Sequence, residues 1–507
     1  MMDDQNDMTL QEATDAELWQ TINWQKIRRN VMNFQRRIVR AYHENNNEKL
    51  TILEWLVTNS FSAKALAVWL VTESKGARTA GIDNERCVTD SQKYRAILQL
   101  QPDQYTPNPY LRVYIPKSQG KTRPLSIPTF KDRAMQSLYK FVLEPIAECS
   151  ADSFSFGYRR WRSTLDAVKE CRRLLLGGAE WIIEGDISGC FDNISHDWLL
   201  SNIPMEKTIL RKILKCGYIE KRSRQKHPCE VGVAQGGQLS PILCNLTLDG
   251  LRGVVKRHCG DLELIRYADD FIIAGKNLKV LCDVLPVMTA FLAERGLALS
   301  NEKTSITNVR TGFDFLGYHF RKDGQDIVLE PSQKSVNNVL SRLQKEISNQ
   351  KTCNHAETSN SLNSIIRGWT NYHQYCTERG AFLYIDLMTS RYLAEYGAHP
   401  DIQESLIAAS ETQCQPLASA RTEANPFDAD WRLYFEEWAY ARRFHTRSGY
   451  NQLASAFSRQ NGVCPICKQE IEGDFAIHVR RRKQGRVLKL MHPECHNSIH
   501  NRLNKKE

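Results

Sequence analysis

Long apolar runs are absent from this 507-residue sequence. No stretch approaches the roughly 18 consecutive apolar residues of a membrane-spanning helix, so we expect no membrane association. The first residues, MMDDQNDMTLQEATDAELWQ, are acidic and polar and do not resemble a secretory signal. The chain also has no internal repeat and no low-complexity tract. These absences favour a cytoplasmic protein, either of a bacterial cytoplasm and nucleoid or of an organelle matrix or stroma.

Closely paired cysteines are also scarce. Most of the 15 cysteines have no near partner in the sequence, which predicts reduced thiols in a cytosol-like compartment, apart from one C-terminal cluster. The length allows about three domains, and the 41% hydrophobic content supports real cores. The net charge of +10, with a pI near 8.8, fits a polyanionic partner.

Helix-like and strand-like segments divide the chain. Residues 19–75 have helical apolar spacing, and residues 76–110 are rich in loop formers. From 111 to about 320, the short apolar runs RVYIPK, EWIIEGD, LELIRYA and FIIAG alternate with helical segments, which predicts an α+β domain built on a small sheet. Residues 331–400 are helical again, and 401–429 are polar and alanine-rich, as in a linker.

Two adjacent aspartates, Asp269 and Asp270, interrupt an apolar stretch in LELIRYADDFIIAG. Desolvating one carboxylate is costly, and two of them also repel each other. The flanking runs predict two strands with the aspartates at the tip of the hairpin, where water can reach them. A bare Asp-Asp dipeptide is most often only a turn, so the pair needs support from elsewhere in the chain.

A third aspartate, Asp186, ends the strand-like run EWIIEGD, and a glycine-containing turn and a possible helix cap at Ser195 follow it. Three aspartates at strand ends can share two Mg²⁺ ions, which prefer carboxylate and phosphate oxygens. Two such metals can clamp the attacking and leaving oxygens of an in-line phosphoryl transfer. The pattern therefore predicts a nucleotidyl-transfer site.

Paired metal ligands form the C-terminal cluster. Cys464 and Cys467 make a C-x-x-C pair, and His492 and Cys495 follow about 25 residues later. This spacing is typical of a structural Zn²⁺ site, although free thiols without a metal remain an alternative.

Several segments, in order, resemble group II intron-encoded proteins, the reverse transcriptase–maturases. TESKGARTAGIDNE resembles the N-terminal extension of the family, and LNSIIRGWTNYHQY its thumb and maturase segment, domain X. The segments between them resemble its seven polymerase motifs: YIPKSQGKTRPLSIPTFKDRAMQ, SFSFGYRRWRSTLDAV, EGDISGCFDNISH, GVAQGGQLSPILCNL, RYADD, GLALSNEKTSI and FDFLGYHF. The resemblance implies a right-hand fold of fingers and palm, with a helical thumb.

The resemblance also implies roles for individual residues. Asp186, Asp269 and Asp270 match the catalytic metal-binding triad. Lys117 and Arg123 match finger residues that hold the triphosphate of the incoming nucleotide. Further matches are Phe191 to the aromatic gate that selects dNTPs, Gln235 to a residue near the nucleotide, and Lys303 to a lysine near the primer.

Simpler interpretations stay open for these residues. The lysines and the arginine are also compatible with solvated surface charges, Phe191 with a core residue and Gln235 with a turn residue. The sequence departs from the family pattern at Ala234 and Ala80, where prolines are usual, and at YRRWRS, where a Pro-Gly is common. None of these departures removes a catalytic group.

Domain X implies contacts with the intron RNA. Arg367, Trp369, Tyr372 and His373 combine charge with aromatic faces that can stack on bases. The alternative is that the aromatic residues, at helical spacing, belong to a core. The N-terminal helix adds a basic set that either contacts phosphates or is a solvated face: Arg28, Arg29, Arg36, Arg37 and Arg40.

The C-terminal pattern resembles HNH endonucleases, which members of the family often carry. His478 matches the general base, and His496 and His500 match the metal ligands of the ββα fold. Ile477 stands where a further ligand is usual, Val487 lies near a usual asparagine, and the glycine loop is shortened to Gln484-Gly485. A working nuclease and a degenerate module that only binds DNA are therefore both open.

The resulting expectation is a multifunctional enzyme. It is an RNA-directed DNA polymerase that binds a group II intron RNA, assists its splicing and copies it during retrohoming. Its further partners are dNTPs and target DNA. The sequence leaves open whether it acts as a monomer or a dimer. Alternatives are a splicing cofactor with an idle polymerase and another bacterial reverse transcriptase, such as a retron. The expected parts are an N-terminal extension with the start of the fingers (1–110), fingers and palm (111–325), thumb and domain X (326–400), linker and basic DNA-binding segment (401–458) and HNH-like zinc module (459–507).

Overall fold

A computed structural model describes most of the chain, as two units. The described residues are 10–116, 122–349, 355–414, 421–432, 434–435, 455–471, 476–482, 485–492 and 495–496. The first unit is Met1–Thr422 and the second is Glu423–Glu507.

Helices open the first unit, as the apolar spacing predicted. In the second helix Ile27, Val31 and Ile38 are buried while Arg29 and Arg37 are exposed. A fifth helix in the loop-rich region was not predicted; its signal is the capping box that Thr89 forms with Gln92. These helices are α1 (Leu10–Gln20), α2 (Trp24–His43), α3 (Asn47–Asn59), α4 (Phe61–Thr72) and α5 (Asp90–Gln99).

The region predicted as the fingers contains a four-stranded sheet in the order β2-β1-β4-β5. Its strands are β1 (Tyr110–Pro116), β2 (Thr122–Ile127), β4 (Tyr218–Glu220) and β5 (Lys226–His227). The first two strands are antiparallel, with Ile115 opposite Arg123. The long helix α6 (Phe130–Ser150) follows, and most of its residues are buried. RVYIPK was thus correctly predicted as a strand.

The region predicted as the palm contains a second four-stranded sheet, in the order β6-β7-β3-β8. Its strands are β3 (Trp181–Gly185), β6 (Glu263–Tyr267), β7 (Asp270–Gly275) and β8 (Ser305–Asn308). They confirm the strands predicted from EWIIEGD, LELIRYA and FIIAG. The surrounding helices are α7 (Thr164–Leu176), α8 (Cys190–Asn193), α9 (His196–Asn202), α10 (Lys207–Lys215), α11 (Ser240–Leu248), α12 (Leu251–His258) and α13 (Leu278–Ala293). This is the α+β domain that the sequence predicted.

The last part of the first unit joins a three-stranded sheet, in the order β11-β10-β9, to the helices of the region predicted as the thumb. The strands are β9 (Phe313–Phe315), β10 (Tyr318–Asp323) and β11 (Asp326–Pro331). The helices are α14 (Gln333–Ser348), α15 (His355–His373), α16 (Gly380–Glu395) and α17 (Pro400–Glu404), followed by a short 3-10 helix (Ala409–Glu411). One hydrophobic cluster runs through these elements and the palm strands.

The linker prediction is wrong for residues 401–411. Ile402 is 2% exposed and Ala409 is fully buried. Asn363 on α15 donates to the Ser405 carbonyl at 2.9 Å, and the Asp386 carboxylate on α16 accepts from the Ala409 amide at 2.6 Å. Composition alone predicted a solvated segment, but its few apolar residues all fit the thumb.

The second unit contains a hairpin of β12 (Ala476–Arg482) and β13 (Gly485–Met491), in which Ile477 pairs with Leu490. A small cluster around Cys464, Ile471 and Met491 forms its core. The basic segment predicted at 430–450 lies almost entirely outside the described residues. Within the described ranges of the chain, no helix is long and apolar enough to cross a membrane.

Candidate active site

The predicted palm hairpin is present, with the two aspartates at its tip. Tyr267 pairs with Asp270 as the last pair of the β6–β7 ladder, so Ala268 and Asp269 form a two-residue loop. Ala268 has a positive φ of 59°, which costs a non-glycine residue on the order of 1–3 kcal/mol. The surrounding contacts must therefore fix this loop.

Asp186 reaches the same end of the sheet from the neighbouring strand. β3 and β7 are antiparallel, and Gly185 lies opposite Phe271. The next residues in each strand, Asp186 and Asp270, are therefore neighbours. A Cβ on Gly185 would lie 2.1 Å from the Phe271 ring, so only glycine allows this close pairing.

The electrostatics of the site show that the carboxylates crowd each other. Desolvation raises the pKa of Asp269, and the charge of Asp186 adds to this rise. Desolvation and the charges of Asp269 and Asp186 raise the pKa of Asp270 to about 6. Such a set of oxygen donors, short of positive charge, fits a hard divalent cation.

Lys303 supplies part of the missing positive charge. Its Nζ lies 2.5 Å from Oδ2 of Asp186, and this contact raises the pKa of the lysine. Lys334, in the first turn of α14, contributes a second cation that lowers the pKa of Asp270. The family resemblance predicts Lys303 near the primer strand, and in the structure its ion pair is with Asp186.

A polar chain connects the fingers to the palm. Arg123 donates from Nε to Oε1 of Gln235 at 2.7 Å, and Gln235 donates from Nε2 to Oδ2 of Asp192 at 3.2 Å. All three residues have water-accessible surface, and the charge of Arg123 also acts on Asp269. The second predicted triphosphate ligand, Lys117, lies outside the described residues.

Phe191 is 5% exposed, so it is mostly a packed residue. Its ring meets that of Tyr158 edge to face, with centroids 6.1 Å apart. Tyr158 is 47% exposed and has a positive φ of 59°. Burial, followed by the charge of Asp269, raises the pKa of the Tyr158 hydroxyl to about 12. Tyr158 therefore lies beside Phe191 and close enough to Asp269 to feel its charge.

The proposed RNA-binding residues of domain X divide into two groups. His373 is 1% exposed, and Trp369 donates from Nε1 to Oγ of Ser335 at 3.1 Å. Both link α15 to Ser335 on α14 and belong to the core around these helices. For Trp369 this is the alternative that the sequence left open, whereas for His373 the expectation of an RNA contact is wrong. Arg367 is exposed, and Tyr372 is 36% exposed while its hydroxyl donates to the Leu316 carbonyl.

The C-terminal unit brings the four predicted zinc ligands together. The ligand atoms of Cys464, Cys467, His492 and Cys495 all lie within 4.8 Å of one another. Burial opposes ionisation of Cys464, but hydrogen bonds from backbone N–H groups outweigh it and lower the pKa of the thiol to about 6. Thiolates and imidazole in one tight group are the donor set that Zn²⁺ prefers.

The nuclease candidates lie beside this cluster. His478 is on β12, and its ring centroid is 5.7 Å from that of His496. His500 lies outside the described residues. Ile477, which stands in place of a usual metal ligand, packs against the hydrophobic core of the unit. This residue therefore contributes to packing, and as an apolar side chain it offers no metal ligand.

Protein-family models match consecutive parts of the chain. Residues 19–100 match the N-terminal domain of reverse transcriptase, and residues 115–320 match reverse transcriptase (RNA-dependent DNA polymerase). Residues 336–399 match the maturase-specific domain of group II introns. Protein YkfC of Escherichia coli (strain K12) is 30% identical over 317 residues, which are 53% of this chain and 81% of YkfC. The chain belongs to the group II intron reverse transcriptase–maturase family.

Further similar proteins extend the comparison. Group II intron-encoded protein LtrA of Lactococcus lactis subsp. cremoris is 32% identical over 320 residues, 49% of this chain and 53% of LtrA. The matched region thus spans about half the length of LtrA. Maturase-like protein 1 of Euglena gracilis is 24% identical over 397 residues, 73% of this chain and 80% of that protein. A telomerase structure from Candida albicans matches with a TM-score of 0.37 and 14% identity, over 60% of this chain and 61% of that one.

Sequence reasoning missed three residues that lie beside the site. Tyr158 lies in the motif SFSFGYRRW, where an aromatic residue directly after a glycine was the available signal. Lys334 offered no signal, because its proximity to Asp270 depends on how α14 packs against the palm. Asp192 had a signal in its position next to Phe191, but its contact with Gln235 depends on the fold.

Proposed function

We propose that this chain is an RNA-directed DNA polymerase that copies a group II intron RNA. The observation that carries the proposal is the convergence of Asp186, Asp269 and Asp270 at one end of the palm sheet, where desolvation and mutual repulsion raise the pKa of the two hairpin acids. A turn with no chemical role has no need of a third carboxylate from a neighbouring strand.

The three aspartates are the residues that would hold divalent cations, which we propose to be two Mg²⁺ ions. When bound, these ions would neutralise the carboxylates, activate the primer hydroxyl and stabilise the leaving pyrophosphate. The role of the protein is to hold three oxygen donors on rigid strands before any substrate arrives. The close packing of Gly185 on Phe271 supports that rigidity.

We assign the nucleotide contacts to the chain that joins the fingers and the palm. Gln235 holds the guanidinium of Arg123, and Asp192 holds Gln235, so the arginine is oriented before a triphosphate binds. Lys117 is assigned as a second triphosphate ligand from its motif alone. Phe191, braced by the ring of Tyr158, is assigned as the wall that excludes a 2′-hydroxyl.

Primer extension tests the polymerase directly. A DNA primer annealed to an RNA template is incubated with dNTPs and Mg²⁺, with wild-type protein and with Asp269→Ala. We expect full-length cDNA from the wild type only. If a folded, RNA-binding wild type makes no cDNA, the polymerase proposal is wrong and the alternative of a splicing cofactor with an idle polymerase replaces it.

We further propose that intron RNA is the partner whose splicing this chain assists, and that exposed cations provide the contact. Arg367 on α15 and Arg28, Arg29, Arg37 and Arg40 on α2 are exposed. Phosphate contacts of this kind lose affinity steeply with salt. Filter binding measures the affinity for the intron RNA at rising salt concentration. In a plot of log affinity against log salt concentration, the double variant Arg29→Gln/Arg37→Gln is expected to show a shallower slope than the wild type. An unchanged slope would remove α2 from the interface.

For the C-terminal unit we propose a structural Zn²⁺ site and a role in binding or cleaving the DNA target. The tight group of three thiols and one imidazole supports the zinc, and the neighbouring rings of His478 and His496 support a nuclease. Zinc content near one ion per chain, with nicking of target DNA lost in His478→Ala, is expected of a working nuclease. Zinc and DNA binding without nicking would assign the unit to DNA binding alone.

The finer assignments of domain and place follow from this function. We propose fingers and palm over 111–325, thumb and domain X from 326 to about 411, and a nucleic-acid-bearing compartment, cytoplasm or organelle matrix, as the site of action. The packing of residues 401–411 on α15 and α16 supports the extended thumb boundary.

A further inference from the structure

Arg266 carries a guanidinium group buried in the strand that leads to the hairpin tip. It is the largest side chain among those almost completely buried, with 0% exposure. A charge in such a place is unfavourable unless it is paired and hydrogen-bonded. Its contacts therefore identify what it is there to hold.

The guanidinium binds three groups. Nη2 lies 2.5 Å from Oδ1 of Asp249, which supplies the opposite charge. Nη1 donates to Oδ1 of Asn245 at 3.1 Å and to the backbone carbonyl of Ala268 at 3.2 Å. That carbonyl belongs to the peptide bond between Ala268 and Asp269. Arg266 therefore makes a hydrogen bond to the backbone directly before a proposed catalytic residue.

The hairpin tip needs this support because of its backbone. Ala268 has a positive φ and is only 5% exposed, although no glycine provides the conformational freedom usual in such a loop. A buried carbonyl without a donor is unfavourable. The guanidinium satisfies that carbonyl and holds the loop in its strained conformation.

A second set of contacts encloses the tip from the other side. Asn245, held by Arg266, donates from Nδ2 to the Gly157 carbonyl at 2.8 Å. Gly157 lies so close to the loop that a Cβ would be 2.2 Å from the Ala268 nitrogen. The backbone of Arg266 itself bonds the same segment, because its amide donates to Phe154 and its carbonyl accepts from Phe156, each at 2.9 Å.

We propose that Arg266 is a positioning residue for the polymerase reaction, which fixes the peptide bond before Asp269 through the Asp249–Arg266–Asn245 network. This inference rests on the proposed polymerase function. A purely structural ion pair would not need to reach the loop, and an apolar side chain of the same volume would fill the space. The contact with the Ala268 carbonyl is what gives Arg266 a role in catalysis, since a displacement of about 1 Å at a catalytic group can cost about a hundredfold in rate.

The test compares Arg266→Lys with Arg252→Lys. A lysine at 266 keeps the charge beside Asp249 but has no planar fork to span Asp249, Asn245 and Ala268 together. Glu263 lies at the other end of the same strand, away from the tip. Arg252 pairs with it, with Nε 2.6 Å from Oε1, and Lys256 pairs with it as well. The control therefore weakens an ion pair on β6 without touching the tip.

Steady-state primer extension and amide hydrogen exchange of residues 267–271 are measured on full-length protein. For Arg266→Lys we expect kcat to fall by about tenfold to a hundredfold, while KM for dNTP and affinity for RNA change less than about twofold. Exchange at the tip is expected to accelerate. Arg252→Lys is expected to leave kcat and exchange at the tip at wild-type values.

Asp249→Asn provides a second test that leaves Arg266 in place, and it is used also if Arg266→Lys does not fold. It keeps an oxygen acceptor but removes the charge that anchors the guanidinium, so we expect a smaller fall in kcat and faster exchange at the tip. If Arg266→Lys and Asp249→Asn change kcat and exchange no more than Arg252→Lys, the positioning role is wrong. If the wild type makes no cDNA, the polymerase proposal fails, while hydrogen exchange still decides whether Arg266 holds the tip.

Discussion

Lys303 and Asp186 form an ion pair at the end of the palm sheet, with Nζ 2.5 Å from Oδ2, although the side chain of Lys303 is 63% exposed. The lysine therefore occupies an oxygen that the proposed cation site needs. Its charge lowers the repulsion among the aspartates, as its effect on the pKa values of Asp269 and Asp270 indicates. A divalent cation that binds Asp186 through Oδ2 must share this oxygen with Lys303 or displace it.

The first prediction concerns this competition. Lys303→Met is expected to lower the Mg²⁺ concentration for half-maximal primer extension by about two- to fivefold, the size appropriate to a solvent-exposed ion pair of up to about 1 kcal/mol. A Mg²⁺ titration of the extension rate measures it. Lys276→Met, an exposed lysine at the opposite end of β7, is the matched control and should titrate like the wild type. A raised Mg²⁺ requirement in Lys303→Met would contradict the competition.

The second prediction concerns the glycine behind the hairpin tip. Gly157→Ala places a Cβ 2.2 Å from the Ala268 backbone nitrogen, which cannot move without moving Asp269. We expect a loss of about 1–3 kcal/mol in the free energy of unfolding, together with a large loss of primer extension. Gly260 lies at the other end of the hairpin, where no atom would lie within 4 Å of an added Cβ. Gly260→Ala should therefore change neither the free energy of unfolding nor primer extension. Normal activity of Gly157→Ala would show that the tip tolerates displacement.

The third prediction concerns acid stability of the thumb. Burial lowers the pKa of His373 to about 3, and its Nε2 lies 2.8 Å from Oγ of Ser335. Because the folded protein binds this proton less readily than the unfolded chain, stability falls as the pH drops below about 6.5, the ordinary value. Below pH 6.5 the free energy of unfolding falls by about 1.4 kcal/mol per unit of pH, so the loss reaches about 2 kcal/mol at pH 5.

Thermal unfolding of wild type and His373→Phe between pH 7 and pH 5 measures this effect. The variant is expected to lose less stability on acidification than the wild type, whatever its stability at pH 7. His258→Phe, an exposed residue at the end of α12, is the control and should keep the wild-type pH dependence. Equal pH slopes for wild type and His373→Phe would mean that His373 is not the group responsible.

The fourth prediction concerns the C-terminal cysteines. Cys467→Ser is expected to remove bound zinc and make the second unit sensitive to protease, because the metal links segments that share only a small hydrophobic core. Primer extension is expected to stay within about twofold of the wild type, since the polymerase site lies in the first unit. Zinc analysis and limited proteolysis measure this, with Cys282→Ser on the exposed face of α13 as the control. Full zinc occupancy in Cys467→Ser would exclude Cys467 as a ligand.

Much of the palm could be predicted from the sequence, because short-range patterns determine it. Apolar runs interrupted by Asp-Asp or ending in Asp186 predicted three strands and the hairpin, and Ser195 caps α9 as expected, accepting from the Trp198 amide. The C-x-x-C spacing likewise predicted ligands that the fold brings within 4.8 Å of one another. In each case the informative residues are close in sequence or repeat a known spacing.

Long-range packing could not be predicted in the same way. His373 reads as an RNA-binding residue beside aromatic neighbours, yet the packing of α15 on α14 buries it. Residues 401–411 read as a linker because their composition is polar, yet Ile402 fits the thumb core. The role of Arg266 depends on Asn245 on α11 and on Asp249, the residue after that helix, and both meet the hairpin only in the fold.

The most direct test of the polymerase account replaces each proposed catalytic carboxylate by its uncharged isostere. Asp186→Asn, Asp269→Asn and Asp270→Asn are compared with Asp261→Asn, an exposed aspartate just before β6 on the same hairpin. Primer extension on an RNA template and affinity for that RNA are measured in parallel. We expect each of the three variants to lose about a thousandfold or more in extension rate with RNA affinity unchanged, as expected for loss of a metal ligand, and Asp261→Asn to match the wild type. If any one of the three variants extends the primer at the wild-type rate, the assignment of that carboxylate is wrong. If all three do so, the account as a whole is wrong.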